Sequence, residues 1–360
     1  MHRSSYIVAI LALFVSLLSA GCDQETVSIA PAVPLATATP VGTTTNPTAR
    51  VGNGGPQEDA WITLPSLRGG ARQETGVVSV DGEIWVLGGF DAAGRIVARI
   101  EIYDPRGGEW RRGPDLPLPM HHANVAVIDR TVYVAGFLTG PTFAANGTVF
   151  ALAPSGSWER RQSMPDGTHR GASGVTVADG KLYVAGGFRR FAVDDFSVYD
   201  PATDRWTGLA DVPVPADHLV AEAIDGIVYV AGGRGGGISS HRPRLDAYDP
   251  ATGGWSIRAP MPTSRAGAAA AVLDGHLYVF GGEGNDADAT GVFPETESYD
   301  PAEDRWSTHP SMPTPRHGTG AAAVGKILYV PGGADVEGFG AVAVTEAFTP
   351  PERPMMFPDG

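Results

Sequence analysis

Arginine recurs at one register of this chain: Arg72, Arg170, Arg265 and Arg316 each stand sixteen residues ahead of a Gly-Gly pair. Guanidinium groups gathered round a concave mouth could grip carboxylates or sugar hydroxyls through charge-assisted, often bidentate hydrogen bonds. A position shared by four repeats can equally belong to the repeat itself, each arginine tied to carbonyls or acids of the next unit; the sequence leaves both readings open. Met120 and Ala216 fill the same register in the two remaining repeats, and Glu74, His121, His122, Asp217, His218 and His317 stand close by.

The segments after the glycine pairs differ in every repeat, as loops carrying specificity would. "FRRFAVDD" supplies Arg189 and Arg190, "RGGGISSHRPR" supplies Arg234, His241 and Arg242, and "EGNDADATGVFPE" supplies Glu283, Asp286 and Asp288. The last offers hard oxygen donors but lacks the ligand spacing of a calcium loop. "GGRGGG" (232–237) lacks both the phosphate-loop spacing and a following helix, and reads as a flexible loop. No His/Cys cluster has zinc-like spacing, and no serine stands in a nucleophile-elbow context. The candidate ligand-binding residues are therefore Arg72, Arg170, Arg265, Arg316, His122, His218, Arg189, Arg234, His241 and Glu283. No catalytic residue is assigned, and neither metal nor cofactor is expected.

The elements that must position these residues follow from a repeat of about fifty residues. Gly-Gly pairs begin at 88, 186, 232, 281 and 332, and a degenerate copy, Gly136-Phe137, fills the one gap. Three residues before each pair sits an aromatic: Trp85, Tyr133, Tyr183, Tyr229, Tyr278 and Tyr329. Tryptophans follow in step at 110, 158, 206, 255 and 306, each with an apolar residue six positions on: Leu116, Met164, Val212, Met261 and Met312. "GASGVTVADGKLYVAGG" (171–187) reads as a hairpin about an Asp-Gly turn. "FSVYD" is a third strand, "DPAT" a type I turn, and "RWTGLA" starts a fourth. A four-stranded sheet of this kind buries its faces by stacking radially with its copies, which makes a propeller.

The doubled glycine after an apolar-Tyr-apolar strand, the Tyr-Asp-Pro turn and the spaced tryptophan together resemble the kelch repeat. The resemblance covers roughly residues 60–350; the second unit departs most, with Phe137 for a glycine and "ALAPSGSW" for the Tyr-Asp-Pro segment. It implies an all-β, six-bladed kelch propeller. The sixth unit ends with Phe348 in the tyrosine slot and Met355 where tryptophan is due, while "WITLPSL" (Trp61–Leu67) carries the missing Trp and apolar residue. Kelch propellers close with an N-terminal strand, so Trp61–Leu67 is expected as the outer strand of blade six. In some kelch domains, arginines at the head of the inner strand contact acidic ligands. Galactose oxidase shares the fold, but its copper site needs a cysteine cross-linked to a tyrosine. The only cysteine here, Cys22, lies outside the propeller. The bacterial sialic acid mutarotase is similar in architecture; an arginine for the carboxylate and an acid–base pair for the ring proton would suit its task, and residues of both kinds exist here without a position-by-position match.

Ahead of the repeats, His2 and Arg3 precede an apolar run, Ile7–Leu18, too short to span a bilayer comfortably. "LLSAGC" (17–22) resembles the bacterial lipobox, with Ser19 where leucine is more usual, so residues 1–21 read as a lipoprotein signal peptide and Cys22 as the lipidated residue. Residues 22–59 form a Thr/Ala/Pro-rich tether that cannot bury enough surface to order itself. Its random-coil reach is roughly 30–35 Å. Residues 351–360 form a tail. The formal net charge of −14 argues against nucleic acid. The expected protein is a monomeric, extracytoplasmic propeller, lipid-anchored to a bacterial cytoplasmic membrane, that binds a glycan or an envelope or extracellular protein on its concave face. A carbohydrate-active enzyme of the sialic acid mutarotase type is the alternative.

Overall fold

The computed structural model describes residues 60–154 and 156–351. The signal-like segment, Cys22, the tether and Met355 lie outside the described residues. Among the described residues every regular element is a β-strand, and the strands form six four-stranded antiparallel sheets and two short two-stranded ones, Arg72–Gln73 with Phe90–Asp91 and Glu283–Asn285 with Gly291–Val292. Blade one comprises Gly76–Val80, Glu83–Leu87, Ile100–Asp104 and Glu109–Arg112. Blades two to five repeat this order, from Val125–Ile128 to Arg305–His309. Blade six takes three strands from the end of the chain, Ala322–Val324, Ile327–Pro331 and Thr345–Thr349, and its outer strand from the beginning, Ala60–Leu64. Neighbouring inner strands contact one another around the whole circle, blade six against blade one included.

The closure expected at Trp61–Leu67 is observed with one refinement. The paired strand ends at Leu64, and Leu67 lies beyond it as a buried plug beneath Gly332. Trp61 sits opposite Phe348, just as Trp110, Trp206, Trp255 and Trp306 sit opposite Tyr103, Tyr199, Tyr248 and Tyr299. The indole N–H of every one of these tryptophans, and of Trp158, donates to a carbonyl of the preceding blade at 2.7–2.9 Å. The spaced tryptophans are therefore inter-blade fasteners, each seated against the Tyr, Phe or Leu opposite it in its own blade. Trp61 to Pro310 and Trp110 to Pro65 carry the fastening across the chain ends.

Asp-Gly turns join the inner and second strands of blades one, three, four and five, with both residues at positive φ, as a two-residue hairpin of the required twist demands (Asp179 at 49°, Gly180 at 68°). The glycine pairs are needed for a different reason. A Cβ on Gly281 would lie 2.1 Å from the Arg316 carbonyl of the next blade, and one on Gly332 2.8 Å from that of Arg72. At these points the blades meet backbone to backbone.

The channel mouth as candidate functional site

The four recurrent arginines are fully buried. Arg72 donates to the carbonyls of Gly88 and Arg99 and to Glu101; Arg265 to those of Val279 and Glu295 and to Glu297; Arg316 to those of Thr314 and Val330 and to Glu346. Arg170 has no acid; it binds the carbonyls of Thr168, Val184 and Gly186 and the Ser197 hydroxyl. Burial pulls the Arg72 and Arg170 guanidinium groups down to about 10. These side chains stitch the second and third strands of their own blades. They do not line a ligand-binding ring, and their partners are not those of the next blade. What reaches the neighbour is the backbone: the Arg72, Arg265 and Arg316 carbonyls accept from the second glycine N–H of the preceding blade. Where the register holds Met120, the third strand holds Phe150 in place of the acid, and both sit in one apolar cluster. Where it holds Ala216, Asp246 is paired instead by Arg244.

Two residues beyond each of these positions the chain turns through the left-handed region: Glu74, His122, Ala172, His218, Gly267 and Gly318, with φ between 50° and 64°. Their backbones form a closed ring. Glu74 N–H donates to Gly318, Gly318 to Gly267, Gly267 to His218, His218 to Ala172, Ala172 to His122, and His122 back to Glu74, at 2.5–3.1 Å. Below this ring the inner strands enclose a channel of about 420 Å³. Val and Ala make up most of its wall, Thr75, Ser79, Ser173, Thr176 and Thr319 add hydroxyls, and Glu222 is the one titratable side chain on it among the described residues. Burial pushes the Glu222 carboxyl up to about 8.

On the ring, three side chains converge. His122 Nε2 lies 3.0 Å from His218 Nε2 and 3.0 Å from Glu74 Oε2. His218 Nδ1 is 2.6 Å from Asp217, and His122 Nδ1 is 2.6 Å from His121 Nδ1. Arg234, at the end of the second strand of blade four, ties Asp217 (3.2 Å) to Glu283 and reaches His218 Nε2 at 3.3 Å. His317 Nδ1 faces Glu283 at 3.3 Å. Burial holds His121 down at about 4 and His122 well below its ordinary value, so both imidazoles are neutral at pH 7. Burial alone would raise the Glu283 carboxyl; His317 and Arg234 outweigh it and hold it below the usual range.

Of the remaining expected residues, Arg189 forms a bidentate pair with Asp195 inside its own loop, and His241 packs its ring over Gly284 with Nε2 unpartnered. Glu283 is buried at the mouth, while Asp288 caps Thr290 in its exposed loop, so the oxygen donors do not come together as a calcium site. Sequence reasoning missed the aromatic chain into the mouth. The Phe90 ring lies 4.3 Å from His121, 5.2 Å from Phe339 and 6.0 Å from Phe143, centroid to centroid. Phe191, Ile238, Val336 and Phe339 are exposed on the loops between second and third strands of blades three, four and six, around the same opening.

The Kelch motif family matches residues 71–117, 169–213, 217–262 and 264–313, which are blades one, three, four and five. Kelch-like protein terF of Aspergillus terreus is 31% identical over 82% of this chain and 69% of its own length. Kelch-like protein 35 of Mus musculus and Kelch-like protein 34 of Homo sapiens are each 30% identical, over 49% and 48% of this chain. The matched regions span 29% and 27% of those two proteins. With six blades in register, the fastening tryptophans and these matches together, the chain belongs to the Kelch-repeat propellers.

Proposed function

We propose that this propeller is a binding module that holds a protein partner against its channel-mouth face, and that it is tethered outside the cytoplasm through a lipid on Cys22. The observation that carries the docking face is the rim: Phe191 (76% exposed) and Phe339 (57%), with Ile238 and Val336, surround a buried charged centre. Exposed apolar groups rimming a concave polar floor suit a protein interface, with aromatic anchors at its core. Kelch propellers are typically protein-interaction modules, in keeping with this reading. The tether rests on "LLSAGC" alone.

A photo-crosslinking side chain at Phe191 or Phe339, in cells, should capture one defined protein, and Phe191→Ser with Phe339→Ser should abolish its binding. The same probe at Ile257, exposed on an outer strand, should capture nothing. Equal capture at both places would remove the mouth-face reading; rim-dependent binding of an isolated oligosaccharide would replace the protein with a glycan. Cys22→Ser should abolish fatty-acyl labelling and release the chain from the membrane fraction.

The Arg234–His218 contact gives some support to the mutarotase-like alternative, which needs an arginine beside an acid or base at the mouth. Its charge runs the wrong way: Arg234 is already matched by Asp217 and Glu283, so an incoming sugar carboxylate meets net negative charge. The ring-opening assay on sialic acids should show no rate above the uncatalysed one.

A further inference from the structure

We propose that Glu74, His122 and His218 bind one first-row divalent cation at the channel mouth. Their donor atoms all lie within 4.8 Å of one another, although they come from three blades and are separated by 48 and 96 positions in sequence.

The hydrogen bonds behind them decide which atoms carry protons. Asp217 accepts from His218 Nδ1 at 2.6 Å, so His218 Nε2 presents its lone pair to the cluster. This is the carboxylate–histidine pairing that orients metal-binding imidazoles. On the other side, His121 Nε2 faces the Gly140 carbonyl at 3.4 Å, which can only accept. His121 Nδ1 is then the acceptor for His122 Nδ1–H, and His122 Nε2 also presents a lone pair. Two imidazole nitrogens and a carboxylate oxygen thus converge with no proton between His122 and either neighbour. Two donor atoms 3.0 Å apart, each about 2.1 Å from a shared ion, subtend an angle of roughly 90°. That suits a cation held from one side with open positions beyond.

The charge agrees. Around the cluster the carboxylates of Glu74, Asp217 and Glu283 face one guanidinium, that of Arg234, an excess of acidic groups that a cation offsets. Arg234 also reaches the His218 Nε2 lone pair, at 3.3 Å. Its two carboxylate partners hold it in place when the ion takes that lone pair. Imidazole donors with a carboxylate select zinc and its first-row neighbours over calcium or magnesium. The ligands themselves sit where left-handed backbone favours glycine, and blades five and six do use glycine there. Ring positions 74, 122 and 218 therefore forgo the easier residue and carry donor groups.

The test is titration of the chelator-stripped full chain with Zn²⁺, followed by calorimetry, and with Co²⁺, followed by its visible absorption. One equivalent should bind. His122→Gly and His218→Gly should each weaken binding at least a hundredfold while the metal-free melting temperature stays level or rises. Asp217→Asn, a positioning change, should weaken it about 10–100-fold at unchanged stoichiometry. A wild type that binds neither ion at micromolar free concentration, its cluster filled by protons alone, overturns the proposal. So does binding that survives both glycine variants.

Discussion

Arg265 and Glu297 form an ion pair at 2.6 Å with both side chains essentially sealed from solvent. Removing one partner strands the other charge, at a cost of about 3–5 kcal/mol, whereas a well-packed apolar pair of similar volume can be neutral. Blade two already uses such a pair, Met120 with Phe150. Arg265→Ala should therefore lower the denaturation midpoint sharply, and Arg265→Met combined with Glu297→Phe should recover more than half of the loss. A double variant as unstable as Arg265→Ala would show that the guanidinium's carbonyl contacts, not the charge match, hold the blade.

Ala172 occupies the hydrogen-bonded ring at φ 51° with no side-chain chemistry to justify the conformation. An L-residue there costs about 1–2 kcal/mol relative to its favoured region. Ala172→Gly should raise Tm by roughly 2–4 °C after the flexibility of glycine in the unfolded chain is subtracted. Gly267→Ala, whose new Cβ would meet nothing closer than 3.5 Å, should lower it by a similar amount through backbone strain alone. Differential scanning calorimetry of the pair checks both signs.

Glu222 gives stability a pH dependence of definite sign. Its carboxyl titrates at about 8 in the folded channel against an ordinary 4.5, because burial disfavours the charge. The folded state then binds more protons than the unfolded one between those values. The stabilisation is complete below about 4.5 and is lost as pH rises through about 8. Glu222→Gln should leave Tm unchanged near pH 4.5 and raise it by several degrees at pH 8.5. Parallel pH–Tm curves for the two proteins would place water and a charged carboxylate in the channel.

The count of blades and the way the ring closes were legible in the sequence because the marks of each repeat are packing requirements. Trp206 must reach the preceding blade, Met261 must fill the space under a glycine pair, and neither can drift in register. The same regularity hid the role of the arginines. The deciding signal lay in the third strands, where Glu101, Glu297 and Glu346 occupy one register and Phe150 replaces them opposite Met120. The meeting of Glu74, His122 and His218 was not legible at all. Metal-site spacing presumes ligands carried on one local segment, whereas here radial symmetry brings together residues a blade or more apart.

The seating of Trp61 against Phe348 also imposes a schedule. A strand that leaves the ribosome, or crosses a membrane, among the first must wait unpaired until the last strand arrives. Blades one to five can form from consecutive segments, whereas blade six is complete only once Ala60–Leu64 has docked onto Thr345–Thr349. Until then blade six exposes a three-stranded edge, open to any strand that fits. A chain cut short before Thr345 would lack its latch, however well its other blades had formed.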